Sequence, residues 1–423
     1  MNKTTQKIII IWAFALIIRL ILCFIWPNRL FLDEQGFIND IGYLFGYSPK
    51  FGISVIFFIL IYGLLGIVSK FLGFSVVLAP FYYPFDILGV KIFLAVISSL
   101  GVFTVYYLMK NATKNENIIL ISTILYNFNC LVLYYSGFIV TENLYYPLAP
   151  LILALFLKHI NSTRTQRIII ESEKSDNFKY KYLIIAGLLG ITLSIRITFG
   201  LVYILGVIFL IFYFEGEKIT DRSSLISLLK EFLIILLFGI ISLTPVLIFS
   251  IIKNVNPLTV LLQTIFWNVG FLQPNFNSLG YITLYIITIL IPILIYLPFL
   301  IKEITNFKND IINLFFLGWI IIQHVLYFGH QYEIALMRWN VSTFIGYFIL
   351  FMKGYEKAEQ EFLFLDKTKY LLFFLIYSVT LAFVFKIAYL EEYDAINSWV
   401  LILGIVVICA AFGALYIWSR KKS

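Results

Sequence analysis

Two adjacent carboxylates, Asp33 and Glu34, follow the first long apolar run of the chain, in the segment FLDEQGF. The chain has only 23 Asp and Glu among its 423 residues, so an acidic pair stands out. A solvated loop would use such an acid to cap a helix. A catalytic site would use it as a general base, provided that the carboxylate is held next to the proton it removes. Both interpretations are open from these residues alone.

A third acid, Glu142, lies in the apolar segment YYSGFIVTENLYYPL, near the start of a predicted helix. Carboxylates at membrane depth are costly and usually face a cavity or a partner. The alternative is a carboxylate that extends to the interface, with Tyr135 as an ordinary interfacial aromatic residue. On the first interpretation, Glu142 is a candidate catalytic acid and Tyr135 a candidate substrate-binding residue.

Three arginines lie at or near predicted helix ends, namely Arg19, Arg196 and Arg338. Each is open to the simple interpretation of a side chain that extends along its helix to the interface. Arginine also binds phosphate through a planar fork of donors and always stays charged. Arginines and acids that gather at one end of a membrane protein suit a phosphate attached to a long lipid. We therefore regard all three as candidate phosphate-binding residues.

His330 and Tyr332 lie close together in the segment GHQYEIALMRW, and both are possible substrate-binding residues. The chain has three histidines without an HxxH or HExxH pattern, so no metal site is predicted. No cofactor is required, although a divalent metal beside the acids is compatible with the sequence. Because no GxxxxGK[ST] or GxGxxG motif is present, we expect a transferred group to arrive through the membrane.

Composition predicts the elements that position these residues. The chain is 61% hydrophobic and 13% charged, with a mean hydropathy of +0.95, whereas soluble domains carry about 25% charged residues. Its apolar runs reach about 20 residues, the length of a membrane-spanning helix. We predict a single all-α domain over residues 1–423, a polytopic bundle of about 12 spans. The predicted helices are 8–26, 87–109, 117–135, 138–157, 182–196, 199–214, 231–252, 281–300, 311–329, 339–353, 370–388 and 398–418.

The distribution of basic residues predicts the orientation. Most of the 31 lysines and arginines fall in the loops of one side if the N-terminus is cytoplasmic. The positive-inside rule then predicts a multi-pass protein of the plasma membrane, with both termini in the cytoplasm and the acidic pair outside. The same bias accounts for the net charge of +8, so no nucleic-acid partner is expected.

Residues 53–69 are apolar but short for a span, and a full span here would invert every later loop. We predict that they form a re-entrant or interfacial segment within a large outer loop, residues 27–86. The alternative is a true span that returns through residues 71–84, a stretch that is short and rich in proline.

Three motifs resemble the GT-C superfamily of membrane glycosyltransferases, in particular the relatives of protein O-mannosyltransferases and aminoarabinose transferases. They are Arg19 followed by FLDEQGF, the stretch ILISTILYNFNCLVLYYSGFIVTENLYYPLAPLILAL, and IAGLLGITLSIRITFG. The resemblance covers about residues 8–215, and in residues 216–423 only ALMRWNVSTF around Arg338 adds a fainter match. The third motif has Ile197 where the family has proline, and Trp339-Asn340 follows Arg338 where the family has tyrosine.

The resemblance implies that a sugar moves from a polyprenyl-phosphate donor to an acceptor hydroxyl at the outer face. It implies Asp33 as the catalytic base with Glu34 beside it, Glu142 as an acid that shapes the site, and Arg196 and Arg338 on the donor phosphate. The acceptor, whether a glycan, a lipid or a protein, is left open by the sequence.

Two other classes of protein stay open. A lipid-linked saccharide flippase or polysaccharide polymerase also has about twelve spans and outer arginines, but a flippase needs cations deep in a central cavity. A small-solute transporter would show helices broken near the middle of the bilayer. The predicted spans contain few such breaks apart from those at Pro245 and Pro292.

Overall fold

Helices make up every regular element that the structure describes. The computed structural model describes residues 3–25, 38, 39, 41, 72–140, 142–169 and 367–388, with the single positions 226, 233, 317, 320, 348, 351, 352 and 354. These residues contain no strand, which confirms the all-α prediction for this part of the chain. The helices are α1 (Lys3–Ile25), α2 (Leu72–Ser99), α3 (Gly101–Ala112), α4 (Glu116–Asn127), α5 (Cys130–Tyr135), α6 (Glu142–Ile169) and α7 (Lys367–Ala388).

Two helical stretches of the described chain are long and apolar enough to cross a membrane, Thr4–Ile25 and Leu78–Ala112. In the first, only 28% of the most apolar window is buried. Large exposed apolar side chains recur along α1 at alternate spacings of four and three residues: Ile10, Phe14, Ile17, Ile21 and Phe24. Because this spacing keeps side chains on one face of a helix, α1 has an apolar outer face along most of its length.

Side-chain contacts establish how the first helices run. Thr4 Oγ1 donates to Glu116 Oε2 at 3.4 Å, so α1 and α4 start at the same end of the bundle. The turn between α3 and α4 lies at this end and brings Lys110 and Lys114 to it. We call it the basic end. α6 runs toward it, because Lys158 Nζ lies 5.9 Å from the centroid of the Tyr107 ring in α3. α1 ends, and α6 begins, at the opposite end.

Several predicted helices agree with the structure. The prediction 8–26 corresponds to α1, and 370–388 corresponds to α7, which packs against α4 and α5. The prediction 87–109 corresponds to the second half of α2 and most of α3, with Leu100 between them. Apart from single helical positions, the following predictions lie outside the described residues: 53–69, 182–196, 199–214, 231–252, 281–300, 311–329, 339–353 and 398–418.

α2 folds back on itself at Asp86. This residue has φ 58° and ψ −160°, a conformation that costs a non-glycine residue of order 1–3 kcal/mol. Phe81 and Phe93, on either side of it, stack with ring centroids 3.7 Å apart, whereas a straight helix would separate these positions by about 18 Å. A Cβ on Gly89 would overlap Phe85 Cβ and would lie 2.8 Å from the Phe81 carbonyl oxygen. Only glycine therefore fits at position 89, where the two halves of α2 pack against each other.

The last part of the predicted outer loop is helical, because α2 begins at Leu72. Pro80 and Pro84 both lie within the helix. Each proline removes the hydrogen bond that its own nitrogen would donate, and the packing of this half against the second half compensates for the loss. A helix here is compatible with the re-entrant or interfacial segment predicted within residues 27–86, and the outer placement of that loop stays a prediction.

Two further predicted helices are divided differently in the structure. The stretch 117–135 was predicted as one helix but forms α4 and α5, with a break at Phe128 and Asn129. The helix predicted over 138–157 begins at Glu142 and continues to Ile169. The helix therefore continues about three turns beyond its predicted end.

Candidate functional site

The break between α4 and α5 replaces one backbone hydrogen bond by side-chain hydrogen bonds. In a continuous helix, the N–H of Leu131 would donate to the carbonyl of Asn127. The Asn129 side chain accepts from this N–H instead, at 2.9 Å, and so caps the start of α5. The carbonyl of Asn127 is left at the C-terminus of α4, where helical carbonyls lack an intrahelical partner.

Arg19 supplies the donor for that carbonyl. Its Nη2 donates to Asn127 O at 3.0 Å, its Nε to Ser98 Oγ at 3.2 Å and its Nη1 to Ala15 O at 3.0 Å. The side chain is 0% exposed. A helix C-terminus carries partial negative charge, so a cation is favoured beside it. No acid of the described chain pairs with Arg19, and its contacts are neutral oxygen atoms on α1, α2 and α4.

The position of Arg19 along α1 gives the depth of the break. From Arg19 to the last residue of α1, Ile25, is about 9 Å along the helix axis. The whole helix has 23 residues and is therefore about 34 Å long. The break thus lies between the middle of α1, about 8 Å away along the axis, and its end.

Proline removes the helical donor of a second carbonyl close to the break. Pro150 lies inside α6 and has no N–H, so the carbonyl of Tyr146 lacks its helical donor. Tyr126 Oη in α4 donates to this carbonyl at 3.1 Å. Tyr146 Oη in turn donates to the carbonyl of Leu131 in α5 at 3.2 Å. The two buried tyrosines therefore tie α6 to the helices on both sides of the break.

The connection between α5 and α6 is buried and irregular, and Asn143 holds it. Asn143 Nδ2 donates to the carbonyls of Tyr135 at 3.0 Å and Phe138 at 2.8 Å. These two hydrogen bonds determine which end of the amide is the nitrogen, and so leave Oδ1 as an acceptor. Asn143 Oδ1 is buried and has no hydrogen-bond partner. The first turn of α6 thus supports the connection and keeps one acceptor unused.

Lys91 is a second fully buried cation in this part of the chain. Cys23 Sγ lies 3.5 Å from the carbonyl of Lys91 and also 3.5 Å from the carbonyl of Ser136. Lys91 therefore stands on α2 beside both the end of α1 and the α5–α6 connection. The burial of Lys91 was not predicted from the sequence. It could have been, because a lysine within an apolar run of a membrane helix usually faces a partner or a cavity.

The segment that follows the first acidic pair meets the α5–α6 connection at the opposite end. Ile38 and Ile41 are buried in one apolar cluster with Leu78, Ala79, Val90, Leu94, Ile139 and Leu144. Tyr83 Oη donates to the carbonyl of Ile41 at 3.3 Å and adds a polar link to α2. Ile139 and Leu144 flank Glu142 in the sequence, and Ile38 comes shortly after Glu34. Residues next to both acidic motifs therefore share one cluster, which we call the junction cluster.

Three of the predicted site residues lie in the described part of the chain. Arg19 lies at the break, and Tyr135 ends α5 with its ring centroid 4.9 Å from that of Tyr134. Glu142 is the first residue of α6. The other predicted site residues lie outside the described ranges, and their roles stay predictions: Asp33, Glu34, Arg196, His330, Tyr332 and Arg338.

Three asparagines that organise this region were missed from the sequence, namely Asn127, Asn129 and Asn143. The signal was present, because asparagine offers the backbone side-chain hydrogen bonds and favours caps and turns over helix interiors. Two of these residues fall in the short segment YNFNC within an otherwise apolar run. A helix interruption at that segment would have been the better prediction.

Potential metal ligands and thiols are the remaining reactive groups of the described region. Within the described ranges, no group of three or more His, Cys, Asp or Glu side chains could hold a metal ion. Cys23 and Cys130 are buried and form no disulfide. A buried single thiol usually acts as a small packing residue.

Comparison of the chain with protein-family models, with curated proteins and with solved structures found no match. The resemblance to the GT-C superfamily therefore stays a prediction. The structure defines a broader class, a helical protein with two stretches able to cross a membrane and a polar, buried helix break near one end.

Proposed function

We propose that the protein is a multi-pass glycosyltransferase of the plasma membrane. It moves a sugar from a polyprenyl-phosphate-linked donor to a hydroxyl group of a glycan, lipid or protein acceptor at the outer face. The observation that carries the proposal is the junction cluster, in which Ile38 and Ile41 pack with Ile139 and Leu144. Residues close in sequence to each of the two acidic motifs therefore lie together.

Support for the membrane comes from the outer face of α1. Its exposed residues include Ile10, Phe14 and Ile17, each more than half exposed. Burying such a side chain is worth about 1.5–3 kcal/mol relative to leaving it in water, and soluble monomers rarely expose large contiguous apolar patches. Hydrocarbon around α1 removes this cost.

Support for the orientation comes from the two ends of the bundle. Lys110, Lys114 and Lys158 lie toward the basic end. Basic residues concentrate on the cytoplasmic side of membrane proteins, so the basic end faces the cytoplasm. The opposite end, with the junction cluster and the start of α6, then faces outward, where a lipid-linked donor would meet the acceptor.

The chemistry assigned to Asp33 is general base catalysis. Asp33 removes the proton of the acceptor hydroxyl while its oxygen attacks the anomeric carbon of the sugar. The bond from that carbon to the phosphate oxygen breaks, and its electron pair leaves with polyprenyl phosphate. The transition state has oxocarbenium character, and a single displacement inverts the anomeric carbon. Glu34 and Glu142 shape the acidic side of the site, and the reaction balances without a metal.

The donor phosphate is assigned to Arg196 and Arg338. Negative charge grows on the phosphate oxygens as the bond breaks, and a guanidinium placed there stabilises the transition state more than the ground state. Tyr135, His330 and Tyr332 remain candidates for contact with the sugar or the acceptor. The sequence at Arg196 and Arg338 departs from the family pattern, so these two assignments need separate substitution.

The test is replacement of Asp33 by asparagine in the full-length protein in lipid nanodiscs. The probes are polyprenyl-phosphate mannose and polyprenyl-phosphate aminoarabinose with radiolabelled sugars, offered with a membrane extract as the source of acceptor. Removal of a general base should slow transfer by at least about 100-fold. Binding of the donor should be unchanged, because the base acts on the acceptor.

Asp86→Asn provides the matched control. Asp86 is an exposed acid at the fold-back of α2, next to residues that pack on the junction cluster, and asparagine has nearly the same shape as aspartate. It should transfer sugar at the wild-type rate. Transfer by Asp33→Asn at the wild-type rate would show that the proposed base is wrong.

A transporter of lipid-linked saccharides is the second candidate, and one observation favours it. α4 and α5 form a broken helix with the buried cation Arg19 at the break, and broken helices of this kind form substrate sites in transporters. The break lies between the middle of α1 and its end, a depth that fits alternating access as well as a site at one face. Flux of an unmodified lipid-linked sugar across proteoliposomes, unaffected by Asp33→Asn, would favour the transporter.

A further inference from the structure

We propose that Arg19 is a positioning residue that replaces the missing backbone donor at the end of α4 and keeps α4 and α5 as separate helices. The sequence suggested Arg19 as a ligand of the donor phosphate. Its described contacts are with the protein itself: Ala15 O, Ser98 Oγ and Asn127 O.

The break has an alternative in which α4 and α5 form one helix. In that arrangement the N–H of Leu131 would return to the carbonyl of Asn127. Asn129 Oδ1 would then lose the N–H that it accepts at 2.9 Å, and Arg19 Nη2 would lose the carbonyl to which it donates at 3.0 Å. Arg19 and Asn129 therefore act together, because each satisfies one of the two groups that the break separates.

The chemistry of arginine suits this position better than that of lysine. Arg19 donates from Nε, Nη1 and Nη2 to acceptors on three different helices. A guanidinium offers five donors in a rigid plane, whereas an ammonium is a compact charge on a flexible stem. The planar group can thus hold the end of α4 in a fixed relation to α1 and α2.

The burial of the Arg19 side chain favours a role in supporting the backbone of α4 over a role in phosphate binding. Arg19 is 0% exposed, and its Nη2 lies beside the C-terminus of α4, which carries partial negative charge. Two of its five N–H groups are not used in these contacts, but a phosphate could reach them only by entering the interior beside the end of α4, where negative charge is disfavoured. The geometry therefore favours a cation that supports the backbone.

The break determines where α5 begins, and the connection to α6 begins where α5 ends. The position of the connection therefore depends on the break. Tyr135 ends α5, and Glu142 starts α6. A positioning role of Arg19 in sugar transfer rests on the proposed function. Its role at the break does not, so the two are tested separately.

The experiment is a double-mutant cycle of Arg19→Met and Asn129→Ala, followed by hydrogen exchange in nanodiscs without substrate. Arg19→Met leaves the Asn127 carbonyl unpaired, and amides of residues 128–140 should exchange about tenfold faster. In the Asn129→Ala background, Leu131 N–H is free to return to Asn127, so Arg19→Met should change exchange little. The coupling between the two positions is the expected signature.

Trp12→Phe is the matched control, because Trp12 Nε1 donates to Ser99 Oγ at 3.0 Å in the same α1–α2 interface but away from the break. It should leave exchange over residues 128–140 at the wild-type rate. Arg19→Lys keeps the charge without the planar fork and should show part of the effect, which keeps the test valid if the methionine variant does not fold.

Two results would overturn the inference, namely unchanged exchange in the Arg19 variants or an equal effect of Arg19→Met with and without Asn129. If the coupling is observed but the wild-type protein transfers no sugar, the proposed function fails and the role of Arg19 at the break stands. If transfer is present and Arg19→Lys loses donor binding without faster exchange, Arg19 is a phosphate ligand instead.

Discussion

Gly89→Ala should disrupt the fold of α2, because the inside of the fold has no room for a methyl group. The added Cβ would overlap Phe85 Cβ and lie 2.8 Å from the Phe81 carbonyl oxygen. The backbone carbonyl is not free to rotate away as the end of a long side chain is. The two halves of α2 must therefore separate, and the stacked rings of Phe81 and Phe93, now 3.7 Å apart, must separate with them.

The expected change in the free energy of unfolding is the sum of two losses and one gain. Overpacking of this kind costs about 1–3 kcal/mol, and loss of the aromatic pair adds about 0.5–1.5 kcal/mol. Alanine is a better helix former than glycine by about 0.5–1 kcal/mol. The net loss is about 0.5–4 kcal/mol, so steric conflict outweighs helix propensity. Gly101→Ala should cost less, because its Cβ would meet the end of a side chain, Asn127 Oδ1 at 2.8 Å.

Thermal unfolding in detergent and thiol cross-linking measure the two consequences. Gly89→Ala should lower the melting temperature more than Gly101→Ala does. A short bifunctional thiol reagent should join cysteines placed at Phe81 and Phe93 in the wild-type background, and should join them less once Gly89 is replaced. In a straight helix these positions are about 18 Å apart, so absent cross-linking in the wild type, or a stabilising Gly89→Ala, would refute the fold-back of α2.

Two further predictions concern the carbonyls that polar side chains satisfy. Tyr126→Phe should destabilise the protein by about 1–2 kcal/mol because the carbonyl of Tyr146 loses its donor. The loss should shrink in a Pro150→Ala background, where alanine supplies an N–H, and an equal loss in both backgrounds would contradict this account. Asn143→Leu should cost about 1–3 kcal/mol, since the buried carbonyl of Phe138 loses its Asn143 donor, whereas that of Tyr135 keeps the N–H of Phe138. An unchanged melting temperature in detergent would argue against that role.

The long apolar runs were predictable from the sequence, because their length and hydropathy depend on local composition. α1 and α7 lie where the apolar runs predicted them. The basic residues Lys110 and Lys114 also fall at one end, as the charge bias suggests. The same local averaging conceals interruptions, since one polar residue among many apolar ones changes a window mean very little.

The breaks depend on partners that are distant in the sequence. The end of α4 at Asn127 is held by Arg19, which lies 108 residues earlier. The fold of α2 depends on contact between Phe81 and Phe93 and on the absence of a Cβ at Gly89. Such contacts have no periodic signature, which is why helix 117–135 was predicted without its break and residues 71–84 without the helix that folds back at Asp86. For the candidate site, the sequence predicted which types of residue take part. It did not predict how they are arranged, because the arrangement depends on contacts between residues that are distant in the sequence.

The concentration of irregular backbone at one end has a physical explanation that links the fold to the proposed site. A broken helix in an apolar interior leaves carbonyls unpaired, and each unpaired group costs about 1–3 kcal/mol, so irregular backbone at membrane depth occurs where protein groups or a cavity satisfy it. The described chain satisfies three of these carbonyls with Arg19, Tyr126 and Asn143, which come from three different helices. A continuous helix would need none of these side chains. A bundle built only for stability would not need these side chains. Their presence around the α4–α6 segment therefore favours the proposal that this part of the bundle holds an irregular surface, as a site for a lipid-linked sugar requires.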